Sequence, residues 1–183
     1  MMKTENTLQL LILGKGEIAR QLCTLAISAG YPVDVMEADV SAIAWPPGTN
    51  LRSQVYSESP YRLPRHTHAI IVRGHEGDAD SVATLLNHDA ERVYLIASAR
   101  RAQSVIESAA PLVEDSSRLS RLSAPAGLDL GGNGSAEIAL SILAEIQMRH
   151  HGGSAQTLSD LRAERAAQPK SGHGDQLCPG KRA

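Results

Sequence analysis

Apolar positions in this chain fall into short runs divided by glycine, proline and polar turns. The first, Leu8-Gln9-Leu10-Leu11-Ile12-Leu13, stops abruptly at Gly14-Lys15-Gly16-Glu17-Ile18-Ala19. Helical spacing follows through Leu22, Cys23, Leu25 and Ala26 to Gly30, a natural C-terminal stop. Pro32 to Glu37 then reads as a second strand, so the chain opens on a βαβ unit. Residues 38–66 read as irregular, because Trp45-Pro46-Pro47-Gly48 breaks helix and Pro60 and Pro64 keep the next piece extended. Ala69-Ile70-Ile71-Val72 is a continuous apolar strand, and a helix with Val82, Leu85 and Leu86 inward comes after it. The strand Val93-Tyr94-Leu95-Ile96-Ala97 and a helix starting near Arg100-Arg101, with Val105 and Ile106, repeat the alternation.

The last periodic segment is the longest. Ala124-Pro125-Ala126-Gly127-Leu128-Asp129-Leu130-Gly131-Gly132-Asn133-Gly134 leads into a helix whose Ile138, Ala139, Ile142, Leu143 and Ile146 make one apolar stripe. Glu137 is placed to reach back over the first turn. Two readings of the glycines stay open: a well-capped helix closing the sheet, or a loop presenting N–H groups to an anion.

Alternating strand and helix predicts an α/β fold: a Rossmann-like, doubly wound, mostly parallel sheet with flanking helices in a single domain. The domain is expected over residues 1–152. Residues 153–183 read as a polar, flexible tail with one short helix between Ser154 and Ala167.

Composition narrows the function classes. The 183 residues include no Phe, and aromatic residues make up 3%, so base-stacking platforms are disfavoured. A formal charge of −2 argues against a nucleic-acid surface. Cys23 and Cys178 are far apart and build no zinc site of standard spacing; Cys23 reads as a buried small hydrophobe and Cys178 as an exposed thiol. No apolar run reaches membrane-spanning length and no signal-peptide core opens the chain, so a cytoplasmic location without membrane contact is expected.

The turn after the first strand matches the dinucleotide fingerprint, with Ala19 in the third small position. Gly14 makes the tight turn, Gly16 lets backbone approach a phosphate, and N–H groups from Gly14 to Ile18, including Glu17, meet the anion. Lys15 adds a point charge or is a surface lysine. Glu37 lies about 20 residues on, where an acid meets a ribose hydroxyl. Ligands of doubly wound sheets bind beyond the carboxyl ends of the strands. That rule adds His75, Asp80, Ser98, Arg100 and Arg101 to the crevice. The acids Glu76, Asp78 and Asp80 also suit the first turn of a helix. The remaining histidines, His66, His68, His88, His150 and His151, show no metal-ligand spacing, so no metal site is expected. Ser98 lacks the glycine-flanked elbow of a hydrolase nucleophile.

In order, these pieces resemble the Rossmann-type domain of the XdhC/CoxI family of xanthine dehydrogenase accessory proteins. The resemblance rests on Gly14-Lys15-Gly16-Glu17-Ile18-Ala19, the His75 to Asp80 spacing after a strand and the Arg100-Arg101 pair. Above all it rests on Pro125-Ala126-Gly127-Leu128-Asp129-Leu130-Gly131 followed by the helix from Glu137 to Ile146. It covers roughly residues 8–150. It implies a chaperone more than a turnover enzyme. Such a protein binds molybdenum cofactor (molybdopterin), favours its sulfurated form, and assists insertion into a molybdenum hydroxylase client, with a cysteine desulfurase as a further partner. The chain departs from the family pattern where Glu37-Ala38-Asp39 replaces an Asp-Pro-Arg-like turn, where Ser98-Ala99 replaces Gly-Ser, and where Gly134 stands for a capping threonine. The resemblance is to the family's Rossmann-type domain only, and the separate N-terminal domain common in the family lies outside it.

Two other readings remain beside it. The glycine turn and Glu37 suit an NAD(P)-binding oxidoreductase, weakened by the lack of a second substrate domain and a hydride-transfer acid–base pair. They also suit a nucleotide-sensing module without chemistry. An open parallel sheet leaves edge strands that pair between subunits, so a homodimer is a candidate assembly.

Overall fold

The structure is a computed structural model and describes residues 8–37, 39, 43–52, 63–74 and 77–167. In chain order the elements are β1 (Gln9–Leu13), α1 (Glu17–Ser28), β2 (Val33–Met36), β3 (Thr49–Arg52), β4 (Thr67–Ile71), α2 (Asp78–Asn87), β5 (Arg92–Leu95) and α3 (Ala99–Ala109). Two short 3-10 turns, Ala110–Leu112 and Ser116–Arg121, lead to β6 (Leu122–Ser123), α4 (Ser135–His151) and α5 (Leu158–Ala167).

All strand pairings are parallel, in the order β3-β2-β1-β4-β5-β6. The chain winds outward from β1 through β2 to β3, then crosses back to β4 and winds the other way. β1 and β4 are therefore the adjacent strands at which the winding reverses. Burial on both faces explains why the central strands read as unbroken apolar runs. Leu10, Ile12, Val33, Val35, Ile70 and Tyr94 pack with Ala19, Leu22, Cys23 and Ala26 of α1 and with Ala139, Ile142, Leu143 and Ile146 of α4. Leu11, Leu13, Ala69, Ile71, Val93 and Leu95 pack with Val82, Leu85 and Leu86 of α2 and with Ala109 of α3. Cys23 is fully buried as expected, and burial pushes its thiol up to about 12.

One expectation is corrected. Residues 38–66 are not wholly irregular, because Thr49–Arg52 is the edge strand β3. Its side chains are mostly exposed and carry no apolar alternation. Backbone pairing holds it, together with Asp34 of β2, a carboxylate only 4% exposed. That carboxylate accepts from Asn50 Nδ2 and Arg52 Nε, each at 3.0 Å.

Candidate functional site

Three helices begin above the carboxyl ends of β1, β4 and β5: α1 and α2 each start at a glycine, Gly16 and Gly77, without a side-chain cap among the described residues, and α3 starts at Ser98. The N-terminus of α1 is open. Gly14 (φ 115°) donates its N–H to Met36 O at 3.1 Å, fastening the turn to β2. A Cβ on Gly14 would lie 3.0 Å from Arg73 Cγ and 3.1 Å from Arg73 N, so only glycine lets this turn pack on the segment after β4. Gly16 caps α1 at φ 114° and ψ −179°, and a Cβ there would meet nothing within 4 Å. No side chain of the described residues caps the helix. First-turn N–H groups have no intrahelical acceptor, and among the described residues nothing crowds the space beside Gly16.

Beside this turn stands Arg73, two residues past β4 and half-buried. Its Nε is buried without a hydrogen-bond partner among the described residues. An unpaired buried donor costs about 1–3 kcal/mol, which makes this nitrogen a natural anion contact. Sequence reading passed over Arg73. The available signal was a guanidinium directly after the all-apolar run Ala69–Val72, at the ligand-binding end of a strand.

The start of α2 is tied to the start of α3. Asp78, 2% exposed, receives Arg101 Nη2 on Oδ2, and Arg101 Nη1 reaches Ile96 O at 3.5 Å. Asp78 thus acts across elements rather than as a cap of its own helix, and Arg101 is committed to a protein carboxylate. Its guanidinium still borders the crevice, since a Cβ on Gly74 would lie 3.9 Å from Nη1. Ser98 is the N-cap of α3 and accepts from Arg101 N at 3.4 Å. Arg100 and Asp80 are exposed.

The other predicted site residues distribute as follows. Glu37 follows β2 directly, with its N–H on Arg52 O at 3.2 Å, which places it one strand from Gly14 at the same end of the sheet. Lys15 Nζ lies 3.8 Å from Asp39 Oδ2, both exposed. Glu17 is turned along the surface of α1, accepting from Arg20 Nε at 2.9 Å and Gln21 Nε2 at 2.7 Å. The Arg20 hydrogen bonds hold its carboxyl down to about 2. Ile18 packs on the α1–α4 core. His75 and Cys178 lie outside the described residues. The structure therefore gathers Gly14, Gly16, Ile18 and Glu37 with Arg73 and Arg101 around the switch point, and it gives Glu17 and Ser98 local structural duties.

The second glycine-rich turn is closed. Glu137 accepts Gly134 N at 2.8 Å, Asp129 accepts Gly131 N at 3.2 Å, and Glu145 accepts Gly127 N at 2.7 Å. The capped-helix reading of this loop is the one the structure supports. Three residues distant in sequence, His68 of β4, Glu91 just before β5 and His150 of α4, bring ligand atoms within 4.8 Å of one another at the opposite end of the sheet.

A family model described as the XdhC Rossmann domain matches residues 10–146, and the chain belongs to that family. The Escherichia coli K12 protein YqeB, described as uncharacterized, is 24% identical over 143 residues, covering 75% of this chain and 26% of YqeB. A Bacillus halodurans protein described as a xanthine dehydrogenase superposes with a TM-score of 0.66 at 18% identity, over 88% of this chain and 47% of that one. The chain thus spans about a quarter of the first relative and about half of the second. Among the described residues no helix is long and apolar enough to cross a membrane.

Proposed function

We propose that this XdhC-family domain holds a phosphate-bearing pterin, molybdenum cofactor or its nucleotide form, in the crevice where the winding reverses. From there it would pass the cofactor to a molybdenum hydroxylase, with a cysteine desulfurase as the companion in sulfuration. Family membership supports the ligand class. The observation that carries the site is the buried Nε of Arg73, without a partner among the described residues, beside the N-terminus of α1, which none of their side chains caps.

The residues present fit such a group. The N–H groups from Gly16 to Ile18 and the Arg73 guanidinium would hold the phosphate, with open space beside Gly16 to receive it. Glu37 would accept from a ribose hydroxyl in a nucleotide form. When bound, the group supplies the redox chemistry of its molybdenum to the client, whereas this chain binds and orients. Asp78 holds Arg101 at the wall and so fixes the starts of α2 and α3 relative to each other.

The test is mass spectrometry and absorbance on protein purified anaerobically from cells that make the cofactor. Copurified pterin, lost on Arg73→Ala but retained by Arg20→Ala on the outer surface of α1, is the expected result. Empty wild-type protein that stays empty when cofactor is added would remove the proposal.

Glu37 favours one other reading. An acid at the end of β2 suits the unphosphorylated ribose of NAD. Copurified NAD, weakened by Glu37→Ala, would move the assignment to a dinucleotide-dependent enzyme or sensor.

A further inference from the structure

The apolar stripe of α4 does not end with an apolar residue. Ile138, Ile142 and Ile146 recur at helical spacing over the sheet, and the next position on that face is His150. Beneath it lies His68, the second residue of β4, on the same face as Ile70 and Tyr94. The two rings approach edge to face, with centroids 6.3 Å apart. Glu91, just before β5, comes in from the side because His68 pairs in register with Arg92.

His68 is 2% exposed, and its Nε2 is buried without a hydrogen bond among the described residues; Glu91 Oε1 stands 3.5 Å away, too far for a good one. The other ring nitrogen, Nδ1, is 3.1 Å from Tyr94 Oη. In the tautomer whose Nδ1–H donates to that oxygen, Nε2 is bare, the arrangement in which an outer partner orients a metal-binding imidazole. Burial holds the His68 imidazole below its usual range. The second oxygen of Glu91 is 2.6 Å from His66 Nδ1, which orients the carboxylate.

We propose that His68 Nε2, a Glu91 carboxylate oxygen and a ring nitrogen of His150 form a three-ligand site for a divalent transition metal of the zinc type. The site lies at the amino ends of β4 and β5, at the end of the sheet opposite the crevice. Two imidazoles and one carboxylate are a donor set that zinc accepts, with a further position left for water. Metal–ligand bonds of about 2.0–2.2 Å require donor atoms about 3.4 Å apart, so the 4.8 Å cluster closes by small movements of Glu91 and His150. A bound ion would fasten the last turn of α4 to the β4–β5 edge.

The experiment uses the full chain, stripped with chelator and titrated with Zn2+ by calorimetry. Co2+ absorption and the melting temperature are followed in parallel. His150→Ala and Glu91→Ala are the working variants because neither empties the core; His151→Ala and Cys178→Ser are the controls. The expected result is one equivalent of Zn2+ and a melting temperature raised by the ion. Affinity should fall at least tenfold in each working variant and stay unchanged in each control. Absence of saturable binding overturns the site, as does binding that survives either working variant or depends on Cys178.

Discussion

Two turns in this protein look alike in composition and do opposite things. Gly14-Lys15-Gly16 leads into α1 and Gly131-Gly132-Asn133-Gly134 leads into α4. In the second, carboxylates of the protein itself take the loop's N–H groups: Glu137 over Gly134, Asp129 over Gly131, and Glu145 over Gly127. A Cβ on Gly132 would lie 2.6 Å from Glu137 Cδ, so the glycine makes room for the protein's own acid. At Gly16 the same test finds nothing within 4 Å among the described residues, and none of their side chains caps the helix. Glycine content is therefore no guide to anion binding. What matters is whether an acid of the same chain already occupies the place, and the adjoining charges agree with that distinction. Arg73 leaves an unpartnered donor at the open turn, whereas Glu145 is a 4% exposed carboxylate whose acceptors are all engaged, by Ser123 Oγ at 2.8 Å, Gly127 N at 2.7 Å and Arg149 Nε at 2.7 Å.

The comparison breaks most severely at Glu145. Alanine there leaves the Ser123 hydroxyl and the Gly127 N–H without their acceptor and opens a void, an expected loss of about 4 kcal/mol. Urea denaturation would measure it, and a loss below about 1 kcal/mol would mean the loop is not held by this residue. Next is Gly127→Ala. Its φ of 107° disfavours any side chain, and the new Cβ would stand 2.5 Å from Ser141 Oγ. Strain plus local repacking should cost about 2–3 kcal/mol, a fall in melting temperature on the order of 10 °C for a domain this size.

Gly16→Ala probes the open turn and is expected to cost less, about 1–2 kcal/mol. The penalty is backbone strain, since a Cβ there meets none of the described residues. Its larger effect should fall on a phosphate ligand, because a methyl then stands where the anion would approach. A variant that loses stability and keeps full affinity for the pterin or NAD would show that the ligand does not use this turn.

The sequence made one side of this comparison far more legible than the other. The Gly14 to Ala19 turn, the switch to helix and the apolar strands were readable because their signals are local: period, punctuation and unbroken apolar runs. β3 was not, because an exposed edge strand held by backbone pairing and by Asp34 has no pattern of its own. Nor was the pairing of Asp78 with Arg101, separated by 23 positions, which turned two apparent surface residues into a tie between helices. Glu145 sat inside an apolar stripe with nothing nearby to show that its partners came from the loop before the helix. His68 and His150 are 82 positions apart in the chain and meet only through the stacking of α4 on the sheet.

The smallest effect is the most discriminating. Glu137→Ala removes the acceptor over Gly134 and leaves the start of α4 as bare as that of α1, at a cost of about 1 kcal/mol. Glu137→Gln keeps an acceptor oxygen and removes the charge, so it isolates the helix-dipole part. Raising the salt concentration screens that part, and the Gln variant should approach wild-type stability while the Ala variant does not. If the open turn of α1 binds anions because nothing of the protein covers it, emptying the closed turn should create a second, weaker anion site. Phosphate should then protect the Glu137→Ala protein more than wild type in thermal melts. Equal protection of both proteins would mean that an uncapped helix start is insufficient here, and that the Arg73 guanidinium is what makes the first turn a binding site.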